Sequence, residues 1–593
     1  MPRAILISTG LLAAASLLFC TLSYEPVERF LAALTADGEI ASFTPERHIR
    51  LRVAMALIGT LLLFAAVGMW RSPEGVVRHW GNFVHGGRRF WGKLRQRIVR
   101  DWWLLLGYGG LALWLRLPYL DQPMRYDESY TWLEYASHPF YEAISMYWDP
   151  NNHLCHTLQV HLSVKLFGLS PMVLRLPALF AGVMLAMVAA IAVRPCGVFA
   201  SLAAGLWIAS HPMLIEYSTT SRGYMMQALL CVVLLRLTWT MTRQRDLFLW
   251  FCWGLTASVA MWTIPTSLYF VVAASVALLW SRRTLSGPHL KEMAIGLGVT
   301  GLATLLLYLP VLVYTGPFAV THNPFVRPLP LSDWLVRWPA ALRSDAEFLL
   351  RDLPWSVVGL LLILLLVGLT MSIDRLRLRL FSASLLIASG LTLIQRVHPP
   401  SRVWIYLIPQ FLMLAAIGFA EILNRIRHRK MRYFVGLILL LVVEIVPLQM
   451  SVKSQSILYS NEGGIFRDAP MAAHVVMTHG RPDEPILATC PSHAPVVFYA
   501  ITRESTQGKP SANREFPAHW DNRPSPSSLL LVVNSLYGDT LEKLFDEYQF
   551  SDAWRRGKVE VLATFPTGSV VRITRDYSTS AHDEATEEVP MLD

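Results

Sequence analysis

Long apolar stretches follow one another along most of the first 450 residues of this chain. A helix needs about 20 mostly apolar residues to cross a hydrocarbon core roughly 30 Å thick. Hydropathy predicts thirteen such helices, over residues 4–22, 51–70, 102–118, 172–193, 196–211, 222–241, 247–263, 266–281, 293–314, 354–371, 380–396, 403–423 and 433–450. The pattern therefore predicts an α-helical polytopic membrane protein.

After Ser451 the pattern changes to one typical of a soluble α/β domain. Strands are predicted over 485–489, 529–534, 559–564 and 569–574, and helices over 471–479 and 541–548. A loop rich in Pro, Asn and Ser is predicted at 507–527, and a disordered acidic tail at 578–593. The predicted organisation is two helices and a basic loop over 1–100, a transmembrane core over 101–450, a soluble domain over 451–577 and the tail.

Basic residues predict the orientation of the helices. The net charge is +10, and Arg and Lys concentrate in five clusters, at 71–100, 243–245, 282–291, 375–379 and 425–432. All five fall on one side of the predicted alternation, which the positive-inside rule assigns to the cytoplasm. The N-terminus is then cytoplasmic, and the soluble domain lies outside the plasma membrane, the inner membrane in a bacterium. Such loop charge favours contact with anionic lipid over binding of nucleic acid.

The first predicted outer loop, residues 119–171, carries the strongest candidate chemistry. Asp127 and Glu128 are adjacent acids in its acidic part, flanked by Tyr126 and Tyr130. Loop acids are most often simply solvated, but aromatic residues suggest a segment folded onto the membrane surface. A carboxylate that is partly desolvated there can take a proton from an acceptor hydroxyl. Residues 153–168 are predicted to form a helix lying in the outer interface.

Histidines and arginines add further candidates. His153 and His156 share a helix face and, with a carboxylate such as Glu128, form a possible metal site, although a polar helix face explains them equally well. Three arginines lie near outer ends of predicted helices, where they either reach the lipid headgroups or bind a phosphate group through two of its oxygens. These are Arg175, Arg222 and Arg402. The six cysteines define no disulfide framework, and a pairing of Cys155 with Cys490 is left open.

Several short motifs occur in a recognisable order. They are Asp127-Glu128-Ser129-Tyr130, Asp149-Pro150-Asn151-Asn152-His153, Leu174-Arg175-Leu176-Pro177, His211-Pro212, Arg222-Gly223-Tyr224, and Arg402 with Tyr406 and Pro409. Together they resemble the family 39-like glycosyltransferases, which include protein O-mannosyltransferases and the bacterial aminoarabinose transferases of lipid A. The resemblance covers about residues 102–450, and the two helices before Asp101 look like an addition.

The resemblance implies a GT-C fold and transfer of a sugar, with inversion, from a polyprenyl-phosphate carrier to a glycan, lipid or protein acceptor. It implies that Asp127 is the catalytic base and that Glu128 orients the acceptor or a divalent metal such as Mg or Mn. Arg222, Arg402 and Arg175 become candidates for the donor phosphate. Substrate contacts are expected from Tyr126, Tyr130, Asn152, His153, Glu216, Tyr224 and Tyr406.

The sequence departs from the family pattern at two places. The usual Gln-Glu-Ala before the arginine is Thr219-Thr220-Ser221, which removes an acid that Glu216 is one candidate to replace. The usual Pro-Pro-Leu is Asn152-His153-Leu154. Two alternatives to a transferase follow: a lipid-linked sugar flippase or solute transporter, and an inactive scaffold that binds glycan. Transporters tend to show repeated halves and charges near the middle of the membrane, whereas these charges lie near the ends of the predicted helices.

Overall fold

The computed structural model describes residues 2–33, 43–244, 246–280, 287–321, 326–371, 376–454, 457–458, 460, 462–481, 484–507, 527–547 and 550–576. The predicted acidic tail lies outside these residues, as does nearly all of the predicted 507–527 loop. The chain divides into two compact units. Unit 1 comprises residues 1–118, 139–161 and 175–457, and unit 2 comprises residues 119–138, 162–174 and 458–593.

Helices α1 to α19 account for most of the chain before residue 454. Their bounds are α1 Pro2–Phe19, α2 Tyr24–Ala32, α3 Pro45–Arg71, α4 Pro73–Arg116, α5 Tyr126–Thr131, α6 Phe140–Ala143, α7 Leu154–Phe167, α8 Pro171–Val193, α9 Val198–Ser210, α10 Pro212–Ser218, α11 Tyr224–Met241, α12 Leu247–Thr263, α13 Leu268–Leu279, α14 Gly287–Tyr314, α15 Leu331–Leu349, α16 Trp355–Thr370, α17 Leu376–Gln395, α18 Leu407–Leu423 and α19 Arg429–Lys453. Every predicted apolar helix has a counterpart among them.

The predicted count of thirteen membrane spans is not confirmed. Among the described helices, six are long and apolar enough to cross a bilayer, or up to eight if two bent pairs each form one span. Several of the remaining apolar helices, such as α12 and α16, have 17 residues or fewer. The apolar end of α4 is interrupted by charged Asp101 and Arg116. Hydropathy located the helices correctly, but it did not give their lengths.

Two local predictions differ from the structure, and one is confirmed. Residues 73–100, predicted as a loop, are the first part of the 44-residue helix α4. The amphipathic helices α2 and α15 were not predicted, because charged residues interrupt the apolar pattern of each. A helix is present where one was predicted at 153–168, as α7; its place in the outer interface stays a prediction.

Helices α9 and α10 are one apolar segment bent by 60° at His211 and Pro212. A proline lacks an N–H and disfavours helical geometry in the residue before it, and His211 is accordingly extended. The break frees carbonyl groups, and Arg116 Nη1 donates to one of them, Ala209 O, at 2.9 Å. Fully buried Arg116 therefore stabilises the bend.

Contacts within unit 1 sort its polar residues into two ends. At one end Asp101 pairs with Arg194, and Arg377 pairs with Glu421. At the other end Arg351 pairs with Glu216, and Tyr147 N donates to Thr315 Oγ1 at 3.0 Å. The predicted alternation places Asp101, Arg194, Arg377 and Glu421 on the cytoplasmic side. It places Arg351, Glu216, Tyr147 and Thr315 on the outer side, so each observed pair joins residues predicted to lie on the same side. We call these the basic end and the outer end; which of them faces the cytoplasm stays a prediction.

Unit 2 contains a four-stranded sheet with the order β1-β2-β4-β3. The strands are β1 Ile486–Ala488, β2 Ser528–Asn534, β3 Lys558–Phe565 and β4 Gly568–Thr574, and β1 pairs with β2 in parallel while the other pairs are antiparallel. All four predicted strands are confirmed. Two predicted helices are confirmed as Ala469–His479 and Leu541–Glu547, whereas His493–Gln507 and the short Asp552–Arg555 were not predicted.

Both faces of this sheet are covered by apolar side chains. Alternate residues of β2 enter two separate buried clusters, Leu530 and Val532 in one and Leu529 and Leu531 in the other. Residues 119–138, expected within the transmembrane core, group with this domain. The acidic part of the first outer loop is thus held by the C-terminal segment.

Candidate active site

The backbone of the acidic segment is anchored within unit 2. The amide of Tyr126 donates to Gly464 O at 2.7 Å, and the amide of Asp127 donates to Gly463 O at 3.0 Å. Arg125 and Ile465 form an isolated antiparallel bridge beside them. These contacts fix the position of Asp127 by main-chain hydrogen bonds to a segment more than 330 residues further along the chain.

Two consecutive glycines make this close approach possible. Gly463 and Gly464 have φ angles of +76° and +69°, which side chains disfavour. A Cβ atom on Gly464 would lie 2.6 Å from Pro491 Cβ and 2.9 Å from Tyr126 Cβ, closer than real Cβ atoms approach. Glycine is therefore required at position 464 for the backbone to reach Tyr126.

The two adjacent acids have different environments. Glu128 is 1% exposed, and its Oε2 accepts a hydrogen bond from the amide of Arg125 at 3.0 Å, which caps the start of α5. Asp127 is only partly buried. Its main-chain oxygen accepts from Thr131 Oγ1 at 2.7 Å. Of the two predicted acids, Asp127 is the more exposed residue, and the carboxylate of Glu128 stabilises the helix.

Aromatic rings surround this part of α5. The rings of Tyr126 and Tyr130 stack at 5.6 Å, and His493 meets Tyr126 edge-on at 5.2 Å. Burial, followed by the neighbouring Cys490 thiol, raises the pKa of Tyr126 above its ordinary value, so its hydroxyl stays protonated. His493 was not predicted as a site residue. It is the first residue of a helix in the soluble domain, and no motif in the sequence around it indicates a function.

In unit 1, the turn before α7 is held by side-chain hydrogen bonds. Asn152 Nδ2 donates to Met146 O at 2.7 Å, and Asn152 Oδ1 accepts from Thr157 Oγ1 at 2.7 Å. Arg222 is 4% exposed, and its Nη1 donates to Asn151 O at 2.9 Å. Asn152, expected to contact substrate, has its amide engaged in this turn, and Arg222 joins the turn to the start of α11.

His153 lies among positive charges. Its Nδ1 accepts a hydrogen bond from the amide of Gly223 at 2.9 Å, so the neutral ring carries its proton on Nε2. Burial, then the charges of Arg222, His156 and Arg402, holds the pKa of His153 well below its ordinary value. The structure therefore brings together four of the predicted residues, with His153 as a neutral hydrogen-bond donor.

The predicted metal site gains no support from the described part of the chain. His153 Nδ1 is already bonded to Gly223, and His156 Nε2 lies 3.4 Å from Ser221 Oγ. Within that part of the chain, no group of three or more His, Cys, Asp or Glu side chains is arranged to hold a metal ion. All six cysteines are free thiols.

Glu216 is fully buried in α10 and forms an ion pair with Arg351. Arg351 lies between α15 and the start of the apolar helix α16. Arg175, Arg222 and Arg402 were chosen as candidates because they lie near helix ends, and the same criterion would have selected Arg351. The carboxylate of Glu216, the candidate replacement for the missing family acid, is engaged by this guanidinium.

The remaining predicted residues differ in accessibility. Arg175 is fully buried, whereas Arg402 is half-buried in a short 3₁₀ turn before α18. Tyr224 packs edge-on against His153, and Tyr406 packs against Phe270 with ring centres 6.0 Å apart. Of the three predicted phosphate ligands, Arg402 is therefore the most accessible.

No protein-family model and no curated protein matches the chain. Comparison with solved structures defines its class as a membrane protein of the GT-C fold, as predicted. One similar structure is ArnT from Cupriavidus metallidurans bound to undecaprenyl phosphate, with 14% identity, coverage of 80% of this chain and 98% of that chain, and a TM-score of 0.50. The apo state of the same ArnT gives a TM-score of 0.49 over the same shares of both chains.

Proposed function

We propose that this chain is a membrane glycosyltransferase that takes a sugar from a polyprenyl-phosphate donor. The observation that carries the proposal is the fold shared with ArnT, whose solved structure holds undecaprenyl phosphate, over 80% of this chain. The sugar acceptor is a hydroxyl group on the outer face of the membrane, and the N-terminus is cytoplasmic. The sequence identity to ArnT is 14%, so the proposal is argued from the shared fold.

Asp127 is the general base in this proposal. Its carboxylate takes the proton of the acceptor hydroxyl, whose oxygen forms a bond to the anomeric carbon of the sugar. The bond from that carbon to the carrier phosphate breaks, and the phosphate leaves with the electron pair. Because attack and departure occur on opposite sides, the configuration inverts. Support comes from the main-chain hydrogen bond that anchors Asp127 and from the partial exposure of this residue.

Arg402 is the candidate for the leaving phosphate. A guanidinium presents paired donors that match two phosphate oxygens, and Arg402 keeps part of its surface accessible. Arg222 lies near the same histidine but is 4% exposed and bonded to Asn151 O. We therefore assign Arg222 a positioning role and Arg402 the contact with phosphate.

The test is release of polyprenyl phosphate. Purified protein in proteoliposomes is incubated with a panel of labelled polyprenyl-phosphate pentoses and hexoses and an extract of cell-envelope acceptors. We expect release of the lipid phosphate with at least one donor, and a loss of about 100-fold or more for Asp127→Asn. Glu134→Gln, an exposed acid in the same unit, is the matched control and should keep full activity.

The same assay separates the alternatives. A flippase or transporter moves labelled donor across the vesicle membrane without releasing lipid phosphate. An inactive scaffold does neither. An Asp127→Asn variant with wild-type release would contradict the proposed base while leaving the transferase class intact.

A further inference from the structure

Three arginines converge on one tryptophan at the basic end of unit 1. The guanidinium carbons of Arg236, Arg243 and Arg377 lie 5.5, 5.6 and 4.9 Å from the ring centre of Trp239. Arg236 and Trp239 belong to α11, Arg243 follows it and Arg377 belongs to α17. We call these four residues the Trp239 cluster. Neither the sequence motifs nor the proposed transfer reaction uses them.

We propose that the Trp239 cluster binds the phosphate of an anionic phospholipid headgroup. Two of its guanidinium groups, those of Arg377 and Arg236, differ in their acidic partners. Glu421 Oε1 pairs with Arg377 Nη1 at 2.9 Å, but Arg236 has no acidic partner among the residues that the structure describes. Arg97 adds a further positive charge near Arg236. Guanidinium groups held this close repel one another unless an anion lies between them.

The cluster also leaves hydrogen-bonding groups unsatisfied within the described residues. Arg377 Nη2 donates to Cys196 Sγ at 3.3 Å, but its buried Nε has no partner there. Glu421 Oε2 is likewise buried without a donor. A glycerol phosphate headgroup would satisfy both kinds of group, because its phosphate oxygens accept from arginine and its hydroxyl groups donate to a carboxylate.

Depth in the membrane favours a lipid over a soluble anion. Helices α11 and α17 both qualify as membrane spans, and the cluster lies at their basic ends. That is where phospholipid headgroups meet a membrane protein, and basic pockets between helices are known to hold anionic headgroups. Arg243 is exposed while Trp239 is buried. A headgroup can therefore reach the cluster from the side of Arg243, and the Trp239 ring forms its buried side.

The test measures thermal stabilisation of the purified full-length protein in a zwitterionic detergent, titrated separately with phosphatidylglycerol, phosphatidylcholine and inorganic phosphate. The variants are Arg236→Gln and Arg243→Gln. Arg88→Gln is the charge control, since Arg88 is an exposed arginine of α4 on the predicted cytoplasmic side. Phosphatidylglycerol should raise the melting temperature of the wild type and of Arg88→Gln. Each cluster variant should need about fivefold more phosphatidylglycerol for half of that effect.

Three results would overturn the proposal. Equal stabilisation by phosphatidylcholine would remove the need for an anion. Equal stabilisation by inorganic phosphate at the same concentration would identify a free-anion site. Equal phosphatidylglycerol titrations for Arg236→Gln, Arg243→Gln and Arg88→Gln would show general charge attraction. None of these outcomes depends on transferase activity.

Discussion

The carboxylate of Glu216 is paired with the guanidinium of Arg351, 135 residues further along the chain. The Glu216 side chain is 0% exposed and that of Arg351 is 27% exposed, so the pair lies at the edge of the interior. Thr220 Oγ1 donates to Glu216 O at 2.8 Å, which links the pair to the turn before Arg222. The contact therefore fixes α10 and the turn after it to the segment that follows α15.

Removing Arg351 should destabilise the protein more than removing the whole pair. Arg351→Met removes this guanidinium from the buried Glu216 carboxylate, which we expect to cost about 2 kcal/mol, less than for a fully buried pair because Arg351 is partly exposed. The double variant Glu216→Gln with Arg351→Met should recover most of that loss. Thermal unfolding of the purified protein measures both.

A surface pair on α15 provides the control. Arg343 and Glu347 have side chains that are 81% and 56% exposed, and Arg343→Met should change stability by no more than about 0.5 kcal/mol. Additive effects of Arg351→Met and Glu216→Gln would contradict coupling between these two residues.

Gly464→Ala should impair transfer by displacing Tyr126 and Asp127. The new Cβ would meet Pro491 and Tyr126 at 2.6 and 2.9 Å, and a displacement near 1 Å at a catalytic group costs about 100-fold in rate. Gly538→Ala is a matched control, since Gly538 also has a positive φ, +67°, with nothing within 4 Å of the added atom. Release of lipid phosphate is measured for both variants. Equal loss in the two would assign the effect to backbone strain alone.

The helices and strands could be predicted because each depends on the local pattern of apolar and polar residues. The apolar segments that form α8 and α14 and the β-rich segment that forms β2 keep their patterns whatever packs against them. The span count stays unconfirmed where an apolar helix such as α16 has only 16 residues. The length of such a helix depends on its packing against neighbouring helices, and a hydropathy window contains no information about that packing.

The candidate site was predicted only in part, because long-range contacts decide it. Asp127 and Glu128 looked alike in sequence, yet Asp127 is partly exposed, whereas Glu128 is buried and its carboxylate caps α5. The anchoring of Asp127 to Gly463 joins segments with no local relation to each other. For the same reason the pairing of Glu216 with Arg351 could not be read from either segment.

The soluble domain should lose stability in acid through Glu484. Arg572 Nε donates to Glu484 Oε1 at 2.7 Å and Nη2 donates to Oε2 at 3.2 Å, and the two side chains are 9% and 1% exposed. Burial raises the pKa of Glu484, but hydrogen bonds from Arg572 and from the amide of Arg481 outweigh it and hold the pKa below its ordinary value of 4.5. The folded carboxylate thus resists protonation, so its stabilisation is complete above pH 4.5 and is lost as the pH falls through the folded value.

Glu484→Gln checks this contribution. It should lower stability at pH 7 by about 3 kcal/mol and flatten the decline in acid, measured as protease resistance of the domain in urea at each pH. Glu560→Gln is the control, because Glu560 contacts the same Arg572 at 3.3 Å with a side chain that is 55% exposed. An unchanged acid decline in Glu484→Gln would assign that decline to other carboxylates.

Arg402→Ala should weaken use of the lipid donor more than use of the acceptor. A charge-assisted hydrogen bond contributes about 1.5–3 kcal/mol, so the apparent KM for the polyprenyl donor should rise about tenfold or more while that for the acceptor changes little. Arg402→Lys should recover part of the loss, since it keeps the charge but not the paired donors. Arg327→Ala, which removes an exposed arginine of unit 1, controls for loss of surface charge. If Arg402 has only a structural role, Arg402→Ala should raise the KM for the donor and the KM for the acceptor equally, and Arg402→Lys should restore neither. Equal changes in the two KM values would therefore exclude a phosphate contact by Arg402.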